Sequence, residues 1–261
     1  FKKEFIKFLF FPYRIYCIFI ASLSDYITGP TELIAKYLKD NYQKNFLSKI
    51  FKNKAPKTFP SPIVPPKEEE IIKLDILKND PKKCLNLFFI GSLMSVYDFE
   101  TIKKSIEIIN KKQIKIQLFI AGRGGSENYI KEIFNHIHNV NFLGWINRKQ
   151  AIEISSNCHL AVAPYKNIKN YELNLVNKYI DYMSLGLPVL SPLRGFTFDL
   201  INNYEIGWNY PPKDSLILAQ IIVDIIERPH ELKRRSSNAM KLFKTNYRYG
   251  IVYSQLVDKL E

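Results

Sequence analysis

The feature that most constrains the fold is a regular alternation of short apolar runs and helical patterns from residue 84 onward. Alternation of this kind is typical of βαβ units, in which buried parallel strands are covered by helices. It predicts strands at residues 85–90, 116–121, 140–143, 160–163 and 188–190, with a weaker one at 206–208. The pattern indicates an α/β domain with a doubly wound parallel sheet of the Rossmann type.

Helical spacing of apolar residues predicts the elements between these strands. The expected helices cover residues 99–110, 128–137, 148–155, 176–185, 196–202, 215–227, 230–244 and 251–260. In such a sheet, ligands bind outside the carboxyl ends of the strands. The loops that follow the strands are therefore where binding residues are expected.

The chain before residue 84 has a different composition. Residues 25–46 predict a short strand, a turn and an amphipathic helix. Six of the fourteen prolines fall between Pro56 and Pro81, and closely spaced prolines favour extended chain. We expect four parts: the end of a first domain at 1–55, a Pro-rich linker at 56–83, a ligand-binding domain at 84–245 and a terminal helix at 246–261. The terminal helix could pack back on the first domain.

Residues 1–23 are the most hydrophobic stretch, but Lys7, Pro12 and Arg14 interrupt it, so it does not fit a membrane-spanning helix. Two interpretations remain open: an interfacial membrane helix, or a buried helix whose covering partner lies outside this chain. The sequence opens on Phe1 in what looks like the middle of a helix. We expect the chain to be a piece of a longer protein.

The chain carries 38 Lys and Arg against 25 Asp and Glu, a net charge of +13. Such a charge suits an anionic partner, whether nucleic acid, acidic lipid headgroups or a phosphate-bearing substrate. The basic residues are spread along the chain rather than clustered, which favours a solvated basic surface. We expect no nucleic-acid partner.

The three cysteines, Cys17, Cys84 and Cys158, are far apart and form no CxxC pair, and the four histidines form no recognisable ligand set. An odd number of scattered cysteines argues against a disulfide framework and a zinc cluster, and favours a reducing compartment. We therefore expect no metal site, no cofactor and a cytoplasmic location.

Two glycine-containing turns follow the first two predicted strands. Gly91 and Ser92 come directly after residues 85–90, and Gly122-Arg123-Gly124-Gly125 comes after residues 116–121. Glycines there let backbone amides approach an anion ahead of a helix N-terminus. Neither turn matches GxGxxG or GxxxxGK[ST], so a role as simple turn residues fits equally well.

The segment before the fifth strand is more specific. Asn177 and Asp181 are four residues apart and share one face of the predicted helix. The start of this helix would present amides to an anion, with Lys178 adding charge. Asp181 would accept hydrogen bonds from vicinal hydroxyls such as those of a ribose. A helix with an ordinary polar face gives the same spacing.

The run Asn177-Lys178-x-x-Asp181-Tyr182-Met183-x-x-Gly186-x-Pro188-Val189 resembles the nucleotide-binding signature of the group 1 (family 4) glycosyltransferases. Four further segments resemble that family in the same order: Phe89-Ile90-Gly91, Phe119-Ile120-Ala121-Gly122-Arg123-Gly124, Asn141-Phe142-Leu143-Gly144 and Ala161-Val162-Ala163-Pro164-Tyr165. The resemblance covers residues 84–245, and residues 24–38 resemble the end of the family's acceptor-side domain.

The resemblance implies a GT-B fold: a Rossmann-like donor domain plus, here, a truncated piece of a second Rossmann-like domain. It implies that the following residues bind a nucleotide-diphosphate sugar: Gly91, Ser92, Arg123, Gly144, Trp145, Leu175, Val176, Asn177, Lys178 and Asp181. The amides of Gly91, Ser92 and the helix start would hold the diphosphate, the backbone at Gly144 the base, and Asp181 the ribose. It also implies retention of anomeric configuration without a divalent metal.

The sequence departs from the family pattern at several positions. Ser92 and Ser95 lie where many members carry Arg and Lys, and Leu173 occupies the place of an acidic residue, with Glu172 one position off. The family's acceptor-side glycine loop and histidine would precede this chain. We expect the fragment to bind a nucleotide better than it catalyses, and its catalytic residues are not identified.

The sequence thus predicts a hexosyltransferase-type glycosyltransferase. Its donor would be a nucleotide-diphosphate sugar, expected to be UDP-linked, and its acceptor a glycan or lipid-linked saccharide of bacterial surface polysaccharide synthesis. The basic surface allows peripheral contact with the inner face of an anionic membrane. Two alternatives remain: a nucleotide-sugar epimerase of the same fold, and a non-catalytic basic module that binds nucleic acid or membrane surfaces with steep salt dependence.

Overall fold

The computed structural model describes residues 26–29, 31, 36, 39–40, 57–60 and 77–260. The chain divides into two compact units between Ile63 and Val64. In the first unit, strand β1 (Tyr26–Gly29) pairs in parallel with β2 (Lys57–Pro60). The short strand near residue 26 was predicted, whereas β2 lies inside the segment predicted as a linker. The predictions for residues 1–23 fall outside the described residues.

The reason for β2 is local. Lys57-Thr58-Phe59 precedes Pro60 and contains a β-branched and an aromatic residue, which favour a strand. Proline is tolerated at a strand end, where its missing N–H breaks no interior ladder. The proline-rich stretch is therefore not extended linker throughout.

The second unit is built on six parallel strands in the order β5-β4-β3-β6-β7-β8. Their bounds are β3 Leu85–Ile90, β4 Ile116–Ala121, β5 Val140–Gly144, β6 Leu160–Val162, β7 Val189–Ser191 and β8 Gly207–Asn209. The predicted parallel α/β sheet is confirmed, and β3 and β4 have the predicted bounds. Most of β3 is buried, as expected for a strand covered on both faces.

The helices of this unit are α1 Phe99–Lys111, α2 Glu127–Ile133, α3 Arg148–Ser155, α4 Lys169–Glu172, α5 Asn177–Ser184, α6 Phe196–Tyr204, α7 Ser215–Glu227, α8 Pro229–Leu242 and α9 Tyr249–Leu260. A π-helical turn, Phe243–Tyr247, connects α8 to α9. Helix α7 packs against α1, and α8 packs against α5. None of the helices within the described residues is long and apolar enough to cross a membrane.

Helices α3 and α7 have their predicted bounds, and the other predicted helices differ by one to four residues at an end. Helix α2 ends at Ile133 rather than 137, because Phe134 turns inward to pack against Phe99 and Phe142 with ring centroids 6.0 and 6.3 Å apart. Helix α8 ends at Leu242 rather than 244, where the π-helical turn begins. Neither difference alters the loops that follow the strands.

The strand order fixes where a ligand can bind. β3 is hydrogen-bonded to β4 on one side and to β6 on the other, so the chain direction across the sheet reverses at β3. Outside the carboxyl ends of strands at such a reversal, the diverging connections leave a crevice. This edge is the place to look for a functional site.

Candidate functional site

Three glycines lie side by side where β3, β4 and β5 end. The Gly91 N–H donates to the Ala121 carbonyl at 3.0 Å, and the Gly122 N–H donates to the Gly144 carbonyl at 2.6 Å. Gly91 and Gly122 have φ of +151° and +132°, which residues with side chains rarely adopt. A Cβ on Gly122 would collide with the Gly91 carbonyl group. The missing side chains therefore let the backbones of the neighbouring turns approach each other closely.

The hydrogen bonding corrects one expectation. The Gly91 amide was predicted to hold a diphosphate, but it already donates to Ala121 inside the protein. Gly91 contributes a surface without a side chain, and the exposed Ser92 is the next residue of the turn. The Gly91 N–H is therefore not available to a ligand in this structure.

Tyr182, from helix α5, joins the two central strands just below this edge. Its hydroxyl accepts from the Ile90 N–H at 3.3 Å and donates to the Val162 carbonyl at 3.2 Å. The ring is fully buried, and this burial raises the pKa of the phenol well above its ordinary value. Tyr182 stays neutral and bridges the ends of β3 and β6.

Lys178 lies beneath the Gly91 turn. Its Nζ donates to the Ile90 carbonyl and lies over the rings of Phe89, at 4.4 Å from the centroid, and Tyr97, at 5.5 Å. Burial lowers the pKa of this ammonium to about 8, and nearby Asp181 opposes the shift. The sequence predicted that Lys178 adds charge at the helix start, and the structure buries its ammonium under the turn.

Helix α5 presents its N-terminus at the same edge. Its N-cap residue, Val176, provides no side-chain cap, so the first amides of the helix receive no side-chain acceptor there. Leu175 is buried and anchors the approach, and Asn177 is exposed. An uncapped helix start carries partial positive charge and suits an anion.

Asp181 is half-exposed one turn into α5 and faces Arg148 of α3. An Arg148 Nη1 lies 4.0 Å from Asp181 Oδ1, and its Nη2 donates to Ser184 Oγ at 3.0 Å. Asn147 caps α3 with a reciprocal capping box and thereby fixes where Arg148 begins the helix. Sequence reasoning missed Arg148, although the Asn147-x-x-Gln150 cap marked the helix start beside it.

Arg123, Gly144 and Trp145 form the far end of the edge. The exposed guanidinium of Arg123 lies 3.8 Å from the position that a Cβ of Gly144 would occupy. Trp145 is 71% exposed, which is unusual for the largest apolar side chain. A free indole face and a neighbouring guanidinium can both stack on a planar ring.

Of the ten predicted binding residues, Gly144 ends β5, Asp181 lies one turn into α5, and the other eight lie on loops or helix starts that follow β3, β4, β5 and β6. The structure brings Lys178 to Gly91 and Arg123 to Gly144. Nothing in the described geometry joins Trp145 directly to Asp181. The candidate site is thus a strip along one edge of the sheet, with Lys178 and Asp181 at its centre.

The other candidates have structural roles. His159 is buried, accepts from the Asn86 N–H at Nδ1 and lies 2.9 Å from the Asn79 carbonyl at Nε2, and burial lowers its pKa. Glu172 accepts from Asn167 Nδ2 at 3.1 Å, which uses its carboxylate locally. Among the residues that the structure describes, no group of three or more His, Cys, Asp or Glu side chains is arranged to hold a metal ion.

In a comparison with known families, the model of the family described as glycosyl transferases group 1 matches residues 85–228. This range contains all ten predicted residues and Arg148. A comparison with curated protein sequences gave no match.

Solved structures share the fold. Sucrose-phosphate synthase of Thermosynechococcus elongatus aligns with a TM-score of 0.70 at 18% identity, over 93% of this chain and 60% of its own. TarM of S. aureus, as a mutant in complex with Fondaparinux, alpha-GlcNAc-glycerol and UDP, gives 0.68 at 14% identity over 93% and 45%. Anabaena HepE, in complex with UDP and glucose, gives 0.62 at 15% over 90% and 70%. The chain therefore spans 60% and 45% of the first two structures.

Proposed function

The chain belongs to the group 1 glycosyl transferases, and on this premise we propose that its second unit binds a nucleoside-diphosphate sugar as glycosyl donor. The observation that carries the proposal is a convergence at the strand reversal. The bare Gly91 and Gly122 backbone, the Lys178 ammonium and the uncapped start of α5 all meet there. The glycine turns leave no side chain in the way, the ammonium and the helix start each favour an anion, and together these features suit a diphosphate.

The remaining residues divide the nucleotide between them. Asp181 accepts hydrogen bonds from the ribose hydroxyls, and Arg148 holds that carboxylate in place through their 4.0 Å pair. The exposed Trp145 and the Gly144 backbone contact the base. We take the base to be uracil, because the TarM and HepE complexes that share the fold were both solved with UDP.

In the transfer step the leaving group is the nucleoside diphosphate. As the bond from the sugar to phosphate breaks, negative charge grows on the diphosphate oxygens. The α5 amides and Lys178 stabilise that charge without reorganising, because the fold has already placed them. We propose a hexosyl transfer that retains anomeric configuration.

The proposed acceptor is a glycan or lipid-linked saccharide of a bacterial surface polysaccharide. The net charge of +13 would hold such an enzyme against the anionic inner face of the cell membrane. Because the chain spans only part of the aligned structures, we propose that by itself it binds the donor and does not complete the transfer.

A thermal-shift panel tests the proposal. UDP, GDP, ADP and CMP are added to the full chain, and a ligand at 100 times its Kd stabilises the folded state by about 2.7 kcal/mol. We expect UDP to raise the Tm and Asp181→Ala to remove most of that rise.

The chain offers a matched control in Asp224→Ala. Asp224 is 42% exposed with an arginine at 3.9 Å, against 45% and 4.0 Å for Asp181, but it lies on α7 away from the site. A panel in which no nucleotide raises the Tm, or in which both substitutions act alike, contradicts the proposed site.

A further inference from the structure

Lys178 is a buried cation with an unusual set of neighbours. It is 7% exposed, and its ammonium is in contact with one carbonyl, that of Ile90, and three aromatic rings. Among the described residues, no carboxylate lies within 4.0 Å of its Nζ. Carbonyl and ring contacts soften the loss of hydration, but they bring no negative charge to balance the ammonium.

The charged and titratable groups around Nζ are few. Asp181, on the same helix, acts on it at longer range, and the phenols of Tyr97 and Tyr182 are held neutral by burial. Burial lowers the pKa of Lys178 to about 8. The buried ammonium therefore destabilises the ligand-free protein, and an anion bound close to Nζ would offset that destabilisation.

The structure also shows where such an anion would lie. Nζ fills the space that a Cβ of Gly91 would occupy, so the ammonium reaches the underside of the open turn. The turn itself, residues 91–98, contains no Lys or Arg. The Lys178 charge therefore enters this turn from below, close to the uncapped start of α5.

From this arrangement we propose that the Lys178 ammonium is the buried counter-ion of the donor's diphosphate, and that donor binding takes up a proton in mildly alkaline solution. The inference rests on the proposed function. In the free protein above about pH 8 a growing fraction of Lys178 is the neutral amine. When the diphosphate binds, a proton moves from the buffer acid to the Nζ lone pair, leaving the buffer base in solution and an ammonium beside the phosphate oxygens.

The test is calorimetric titration of the full chain with UDP in buffers of different ionisation enthalpy, from pH 7 to 9.5. Near the upper end of this pH range UDP is almost fully ionised. Proton uptake measured there therefore reports on a group of the protein. We expect proton uptake to rise above pH 8 and the affinity to fall by up to about tenfold for each further pH unit.

Two variants separate a charge role from a packing role. Lys178→Met keeps the stem in the aromatic surroundings; we expect it to bind UDP about 10- to 100-fold more weakly at pH 7.5, without proton uptake at any pH. Lys112→Met, on an exposed lysine just after α1 at the opposite edge of the sheet, is expected to behave as wild type.

The outcomes are distinct. If the wild type binds UDP without proton uptake between pH 8 and 9.5, the counter-ion role is overturned and the proposed donor site is not. This measurement uses the wild type alone, so it does not depend on whether a variant folds. Uptake that persists in Lys178→Met also overturns it. Failure of UDP, GDP, ADP and CMP to bind the wild type overturns the proposed function, and the counter-ion role with it.

Discussion

The two halves of the candidate site are built by opposite means. At the ends of β3, β4 and β5 the shape is set by backbone, because the N–H groups of Gly91 and Gly122 donate to carbonyls of the neighbouring strand ends. Around α5 the surface depends on side chains, with Lys178, Tyr182 and the Asp181–Arg148 pair each placed by a specific contact. The first half is defined by shape and the second by charge and hydrogen bonding, so the two should respond differently to substitution.

The largest effect is expected in the backbone half. Gly122→Ala forces a Cβ toward the Gly91 carbonyl carbon, 2.9 Å away, at a φ of +132°. Backbone cannot yield as a flexible side chain does, so we expect a loss of unfolding free energy of about 3 kcal/mol or more. Urea unfolding followed by circular dichroism measures it.

Gly125→Ala is the matched control for this substitution. It lies in the same turn, and a Cβ there meets no atom within 4 Å. We expect its unfolding free energy to stay within about 0.5 kcal/mol of wild type. Equal losses in the two variants would mean that the close approach of β3 and β4 does not define this half of the site.

The next effect has the opposite sign. Lys178→Met removes a buried cation, and we expect it to increase the unfolding free energy at pH 7 by about 2–3 kcal/mol while weakening UDP binding. The folded-state pKa of about 8 lies below the model-peptide value of 10.5, so the unfolded chain binds more protons between these values. Wild-type stability therefore rises over that pH range relative to the variant, and the advantage of the variant shrinks.

Urea titrations of both proteins at pH 7 and pH 9.5 measure this change. A variant that is less stable than wild type at pH 7, or an advantage that grows with pH, would show that Lys178 stabilises the empty fold. The side-chain half would then resemble the backbone half in being built for stability rather than for a ligand.

A smaller effect is expected where α5 meets the central strands. Tyr182→Phe keeps the buried ring but leaves the Ile90 N–H and the Val162 carbonyl without the hydroxyl. We expect a loss of about 1–2 kcal/mol in unfolding free energy. Tyr129→Phe, whose exposed hydroxyl reaches Glu100 at 3.4 Å, should cost less than about 0.5 kcal/mol. Equal losses of unfolding free energy in the two variants would show that the hydroxyl bridge between β3 and β6 stabilises the fold no more than an exposed hydroxyl does.

The comparison also explains what the sequence could predict. Strands β3 to β8, and helices α3 and α7, followed from apolar runs and helical spacing, because burial on both sheet faces imposes them. The glycine turns were also predicted from local sequence, because glycines come directly after the predicted strands. Helix α4 was missed because four residues carry too little periodic signal.

The side-chain half was harder to predict. The pairing of Arg148 with Asp181 depends on how two separate helices approach, which no local pattern records. Lysine is rarely buried, and nothing in the local pattern indicated that the long stem of Lys178 carries its ammonium past Tyr182 to the Ile90 carbonyl. Contacts between distant elements are set by packing, and packing became visible only in the structure.

Hydrogen–deuterium exchange of the full chain, with and without saturating UDP, tests the central claim most directly, because it locates the bound nucleotide along the chain. The account predicts slower exchange in residues 91–98, 122–126, 144–147 and 174–181, with α8 unchanged. UDP binding that leaves residues 91–98 and 174–181 exchanging at their free rates would contradict it.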